Sequence, residues 1–155
     1  MATLKARPAR RLVANTLRLI VPAGAARPAP PVGPILGQYR LNLMAFCKDF
    51  NGQTQKYKPD IPMQVVLYIF KDNSHEFFIK SPSVTWLIKK AAGIETASAR
   101  PGHEVAGTLT LKHIYEIAKV KQSDPFSGNI KLESFCKCII ETCKSMGIKV
   151  VRNFD

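Results

Sequence analysis

A chain of 155 residues and 17.2 kDa, 46% hydrophobic and 22% charged, suffices for one ordinary domain or two small ones and falls outside the disordered class. Its 23 Lys+Arg against 11 Asp+Glu give a formal charge of +12 and a pI of about 9.8, which points to a polyanionic partner, most often nucleic acid. There is no uncharged apolar run of about 18 residues and no signal-peptide core, so neither a membrane span nor a membrane partner is expected.

The charge is unevenly placed. Residues 1–48 carry eight Lys/Arg and no acid, residues 49–79 carry three against four, and residues 80–155 carry twelve against seven. Two basic ends around a nearly neutral middle suit a protein that touches polyanion in more than one place. A basic tail on an ordinary domain is the plainer account.

In chain order, the first seventeen residues, MATLKARPARRLVANTL, are Arg-rich and acid-free and read as a basic arm or part of a mitochondrial targeting segment. Arg18 to Ala23 reads as a short strand. The run AGAARPAPPVGPILGQ follows from Ala23 to Gln38, with Pro28, Pro30, Pro31 and Pro34 among Gly24, Gly33 and Gly37. Prolines fix φ and remove donors, so the run can be stiff without a ladder of hydrogen bonds. A solvated linker rarely contains apolar residues like Val32, Ile35 and Leu36. From Arg40 to Phe50, apolar Leu43, Phe46, Cys47 and Phe50 recur at helical spacing, and Asn51-Gly52 reads as the stop. Met63 to Lys71 and Glu76 to Lys80, about a turn at Asp72-Asn73-Ser74, read as a hairpin.

Ser83 is placed to cap a helix from Val84 to Ala92, with Gly93 after its end. Glu95 to Gly107 is small, polar and turn-prone, and a domain boundary is expected there or just before it. In the last third, Leu111, Ile114, Tyr115 and Ala118 form one apolar stripe. A second runs through Leu132, Phe135, Cys136, Ile139, Ile140, Cys143 and Met146 to Gly147. Both read as core, and Ile148, Val150 and Val151 as a short terminal strand or tail. The expected class is α+β: a basic arm (1–17), an N-terminal α+β domain with a short sheet (18–92), a linker (93–107) and a C-terminal helical bundle (108–155).

Little in the chain suggests catalysis. His75, His103 and His113 lack companion Cys, Ser or carboxylate groups, and there is no G-x-x-x-x-G-K-S/T, G-x-G-x-x-G or G-x-S-x-G. No enzyme, cofactor or metal site is expected. Cys136-x-Cys138 lacks zinc-knuckle spacing, and residues two apart on a helix diverge, which argues against a bridge between them. Cys47, Cys136, Cys138 and Cys143 therefore read as inert thiols of a reducing compartment.

Two binding surfaces stand out. One is the Pro/Gly run with the helix behind it. The other is the helical half, where Lys112, Lys119, Lys121, Lys137, Lys144 and Lys149 are interspersed with the core stripe; a solvated face is the usual reading of such charges. Within it, Thr142-Cys143-Lys144-Ser145-Met146-Gly147 ends a helix with small residues, hydroxyls and a glycine. Small residues let a backbone approach a sugar–phosphate surface, and hydroxyls can bond the 2′-OH or phosphate.

These segments resemble a known family. RPAPPVGPILGQ followed by NLMAFCKDFN is similar to the N-terminal signature of the bacterial-type large-subunit ribosomal protein L-eleven family. WLIKKAAGIE, EVAGTLTLKHIYEIAKVK and CKSMGIKVV continue the likeness in order, from about Thr16 to Val151, and the middle stretch looks more like the mitochondrial branch. The resemblance implies a structural protein of the mitochondrial large ribosomal subunit, in the matrix, at the base of the factor-recruiting stalk. Its implied partners are large-subunit rRNA, stalk-base ribosomal proteins and translational GTPase factors. Thr142, Ser145, Met146 and Gly147 match the rRNA-contacting end, and Arg100, Lys112 and Lys144 add basic charge to that set. Pro28, Pro31, Val32, Gly33, Pro34, Gly37 and Gln38 match the factor-facing and antibiotic-facing motif.

Three positions depart from the pattern. Arg40 and Glu141 stand where glycine is usual, and the stretch ETASARPGHEVAGT has one arginine in place of several lysines. The rival reading is a free nucleic-acid- or protein-binding adaptor that presents its prolines to a groove-bearing domain. That use needs only exposed, flexible prolines.

Overall fold

The structure is a computed structural model that describes residues 12–30, 32–39, 41–71, 74–125 and 127–153. The chain divides into two compact units between Ile79 and Lys80.

The first unit is a three-stranded sheet under two helices. Strand β1 (Val13–Pro22) pairs antiparallel with β2 (Pro62–Phe70), Leu17 opposite Leu67 and Val21 opposite Met63, and β3 (His75–Lys80) lies on the other side of β2. Alternation sets the faces: Leu19 and Val21 are buried while Arg18 and Ile20 are exposed. β1 begins at Val13, ahead of the strand expected from Arg18, because Val13 to Leu17 also pair with β2. The rest of the basic arm, residues 1–11, lies outside the described residues.

Helices α1 (Val32–Gln38) and α2 (Leu43–Thr54) lay Val32, Leu36, Phe46 and Phe50 on Met63, Val65, Leu67 and Ile69. The Phe46 ring meets Phe77 edge-on, with centroids 5.3 Å apart. Pro34 is tolerated because it sits in the first turn of α1, where a backbone N–H has no partner within the helix.

The expected stop at Asn51-Gly52 does not occur; α2 runs through it to Thr54. Side chains from this last turn hold the preceding loop. Asn51 Oδ1 accepts from Ala26 N (2.9 Å), and Asn51 Nδ2 donates to Ala26 O (3.1 Å). Thr54 Oγ1 accepts from Gly24 N (3.1 Å) and donates to Phe50 O (2.8 Å). These bonds offset the roughly 1 kcal/mol that a glycine costs inside a helix.

The second unit is a helical bundle with a two-stranded sheet. Helix α3 (Val84–Ala92) has the expected ends: Ser83 Oγ accepts from Trp86 N (3.2 Å), and Gly93 is left-handed at φ 69°. β4 (Gly107–Thr110) leads into α4 (Leu111–Gln122), and α5 (Leu132–Ser145) into β5 (Ile148–Val151), which runs parallel to β4. A parallel pair needs a long crossover, here α4 and α5. Thr110 caps α4 in a capping box with His113. The core joins Ile88 of α3 to Leu109, Ile114, Ala118, Ile139, Cys143, Met146 and Ile148.

The boundary therefore differs from the one expected at 93–107. The apolar face of α3, with Val84, Leu87 and Ile88, packs into the helical core, so α3 belongs to the second unit. Residues 95–106 form a loop within that unit, bonded to the end of α5: Ser98 N donates to Met146 O (3.1 Å) and Ala106 N to Gly147 O (2.8 Å).

Candidate nucleic-acid interface

The end of α5 is built from its own back-bonds. Thr142 Oγ1 donates to Cys138 O (2.8 Å), and Ser145 Oγ donates to Thr142 O (2.8 Å). Each hydroxyl thus spends its one proton on the helix and presents lone pairs outward. That arrangement suits a 2′-OH, which can donate, better than a phosphate, which cannot.

Met146 and Gly147, expected at the rRNA-contacting end, sit at this end with little of their surface exposed. Met146 is buried in the core, and its amide bonds Thr142 O and Cys143 O. Gly147 is buried too, at φ 70°, where a Cβ would lie 2.5 Å from Ser98 Cβ and 2.9 Å from Glu104 O. Both shape the helix end and seat the loop over it.

The loop brings exposed Arg100 to the same end of the unit. A depression of about 310 Å³ lies there, lined by Gly102, Glu104, Val105, Lys144, Gly147, Ile148 and Lys149. Glu141 is no buried obstacle: it pairs with Lys144 Nζ at 2.6 Å, with the two side chains 67% and 65% exposed. The pair screens part of the Lys144 charge, while its exposure leaves both groups free to separate.

Not every expected lysine joins this cluster. Lys112 lines another groove, of about 530 Å³, with Leu111, Ile114, Tyr115, Glu116, Cys136 and Ile140. At 3.6 residues per turn, Cys136 and Ile140 lie roughly opposite Thr142 and Ser145 on α5. Lys121 is buried. Its Nζ donates to Ser81 O (3.3 Å) and Asp124 Oδ2 (3.0 Å), while Asp124 also accepts from Ser81 N (2.8 Å) and Oγ (2.7 Å). Lys137 pairs with Glu133 at 2.6 Å, which holds the Glu133 carboxyl below its ordinary range and raises Lys137.

In the first unit, Pro28, Pro34, Gly37 and Gln38 are exposed. Of the three apolar residues of the run, Val32 and Leu36 are core and Ile35 is half-buried. Gly33 permits a close turn: its amide bonds Ala29 O (3.1 Å), and a Cβ there would meet Pro28 O at 3.2 Å. Pro31 and Arg40 lie outside the described residues. Beside the motif, a groove of about 490 Å³ between Ala26–Pro28 and Met44, Ala45, Cys47, Lys48 and Asn51 carries the basic Arg27 and Lys48.

The four cysteines are free thiols, and burial pushes Cys47 and Cys143 up. Among the described residues, no three His, Cys, Asp or Glu are grouped to hold a metal ion. Ser98 escaped the sequence reading, since nothing in a polar, turn-prone stretch marks which serine meets a distant helix end.

Comparison with known proteins accounts for both units. Residues 17–75 match the family described as ribosomal protein L11, N-terminal domain, and residues 80–150 match ribosomal protein L11, RNA binding domain. The chain is 46% identical over 135 residues to the large ribosomal subunit protein uL11m of Schizosaccharomyces pombe, covering 87% of this chain and 94% of that one. It is 42% identical over 141 residues to uL11m of Drosophila melanogaster, covering 91% and 72%. Matches over both units, with a basic cluster inside the part that matches the RNA-binding domain, mean that the chain belongs to the ribosomal protein L11 family.

Proposed function

We propose that the chain is a structural, non-catalytic constituent of the mitochondrial large ribosomal subunit, working in the matrix. Its second unit binds large-subunit rRNA at the stalk base through Arg100, Thr142, Lys144, Ser145 and Lys149. Its first unit offers Pro28, Pro34, Gly37 and Gln38 to translational GTPase factors. The observation that carries the reading is the seating of the Arg100 loop on the end of α5, which gathers cations and outward lone pairs on one surface. Cations provide salt-dependent attraction to the phosphates, and the lone pairs accept from 2′-OH groups. The mitochondrial assignment draws on the relatives named uL11m. Against a free adaptor, the proline run leads into a helix whose Val32 and Leu36 are core, so it is not a flexible ligand.

The tagged full chain should co-sediment with mitochondrial large subunits in a fractionated cell. Replacing Pro28 and Pro34 together with serine should leave that association and the melting temperature unchanged, yet lower factor-stimulated GTP hydrolysis on the ribosome. A folded, incorporated double mutant with an unchanged GTPase rate would defeat the factor-facing part. Absence from the large subunit would defeat the whole.

A further inference from the structure

Leu111 and Tyr115 stand one turn apart on α4, and Cys136 and Ile140 one turn apart on α5; the two pairs line the groove of about 530 Å³ whose floor is the buried Ile114. Cys136 and Ile140 pack on the core with one side and open to the groove with the other. Leu111 is 41% exposed and Tyr115 48%, so neither completes the core, which α4 supplies through Ile114, Ile117 and Ala118. Charge sets this face apart from the end of α5. The groove is lined by one cation and one anion, Lys112 and Glu116, in a half of the chain that carries twelve basic residues against seven acidic. Next to Cys136 on α5, Lys137 is held by Glu133 at 2.6 Å. A polyanion gains no net attraction from that balance, whereas an apolar protein surface needs none. A member of this ribosomal family has rRNA and other ribosomal proteins as its neighbours, and the balance decides between the two.

We propose that the α4–α5 groove docks the apolar face of a helix from a neighbouring protein of the large subunit, with a basic side chain of that helix beside Glu116 and an acidic one beside Lys112. Two apolar ridges on adjacent helices leave a furrow of the kind that receives a third helix, whose side chains at i and i+4 fill it. Leu111 and Tyr115 are the anchors, because each leaves water on docking and keeps a fixed place on the first turns of α4. The rRNA surface stays clear, since Cys136 and Ile140 lie roughly opposite Thr142 and Ser145 around α5. The second unit thereby holds RNA on one side and protein on the other.

The inference rests on the reading of the chain as a large-subunit protein, and its own cysteines test it. Cys136 opens on the groove, Cys138 is exposed one turn before Thr142, and Cys47 and Cys143 are buried. Lys137 lies between the first two, so trypsin separates them and alkylation by N-ethylmaleimide is read at each thiol. The stalk-base rRNA fragment should slow Cys138 in the full-length chain, which marks the complex as formed, and leave Cys136 at its free rate. In intact mitochondrial large subunits Cys136 should react at least about tenfold more slowly. Slowing of Cys136 by the rRNA fragment alone makes RNA the occupant and overturns the inference, as does a Cys136 that reacts in the subunit as in the free chain. Neither result touches the ribosomal reading. A photoreactive benzoylphenylalanine in place of Tyr115 should cross-link to a protein within purified subunits, and a cross-link to rRNA overturns the inference. Leu111→Gln with Tyr115→Gln adds no charge at two exposed positions and should leave the melting temperature and rRNA-fragment affinity near wild type. Co-expressed wild-type chain should outcompete that double variant for places in the large subunit by about tenfold. Equal incorporation overturns the inference alone, and a chain absent from the large subunit overturns the ribosomal reading and the inference with it.

Discussion

Gly93 and Gly147 share almost the same backbone, φ 69° and 70°, and each closes a helix, yet their surroundings differ completely. A Cβ at Gly93 would meet nothing within 4 Å; at Gly147 it would meet Ser98 Cβ at 2.5 Å and Glu104 O at 2.9 Å. Gly93→Ala should therefore cost only the left-handed penalty, about 1–2 kcal/mol. Gly147→Ala should add an overpacking cost of about 1–3 kcal/mol, because a backbone oxygen cannot swing aside as a flexible side chain can. Urea denaturation of the two variants should show the larger loss at Gly147, and equal losses would remove the close approach as the reason for that glycine. A glycine ending an apolar stripe is legible in the sequence. That Gly147 also makes room for the loop is not, because Ser98 and Glu104 meet it only through the fold. The same holds for Met146, which reads as part of a binding motif and is core. Thr142 and Ser145 were legible as hydroxyls at a helix end, but their proton-spending back-bonds follow from helix geometry at those positions.

At the level of elements, local signals succeeded where the deciding contacts are local. Ser83 and Gly93 bracket α3 as the sequence indicates, since a cap is satisfied within a few residues. They failed at α2, where Asn51-Gly52 looks like a stop and is helix. Asn51 there serves the loop ahead of the proline motif, pairing with Ala26 on both backbone atoms, and no local pattern records a partner that far back. Adjacent substitutions should then have opposite signs. Asn51→Ala removes both bonds and leaves a part-buried backbone amide and carbonyl unsatisfied, costing about 1–3 kcal/mol. Gly52→Ala places a Cβ in open space at an exposed helical position and should stabilise by about 0.5–1 kcal/mol. Thermal unfolding of both variants checks this, and destabilisation by Gly52→Ala would mean that α2 does not run through residue 52 in solution. β4 was missed for a related reason: its four residues, Gly107 to Thr110, are too few to show a pattern after the polar stretch, and only the parallel partner β5, from the far end of the chain, makes them a strand.

Across the whole chain, two units and an α+β class were legible, because a hairpin pattern and two helical stripes sit apart in sequence; the dividing point was not. Composition places it in the polar stretch 93–107, whereas contacts place it between Ile79 and Lys80. The difference is α3, whose sequence reveals an amphipathic helix but not which core receives it. Ile88 is fully buried among Leu109, Ile114, Ile139 and Cys143, and Val84, Leu87, Ala92 and Ile94 pack on the same cluster. Burying a large aliphatic side chain stabilises by about 1.5–3 kcal/mol, so losing several at once approaches the whole 5–15 kcal/mol stability of a small domain. Removing α3 also removes Ser81, whose amide, hydroxyl and carbonyl satisfy the buried Lys121–Asp124 pair. A buried pair stripped of its outer hydrogen bonds becomes a further cost. A fragment of residues 80–155 should therefore melt cooperatively and bind the stalk-base rRNA fragment with an affinity that falls as salt rises. A fragment of residues 93–155, which keeps Arg100, Thr142, Ser145 and nine of the twelve basic residues of this half, should show no cooperative transition by circular dichroism and should lose most of that affinity. Equal melting of the two fragments would return the boundary to the polar stretch. Equal rRNA binding despite unequal melting would mean that charge alone, without the seated loop, accounts for recognition.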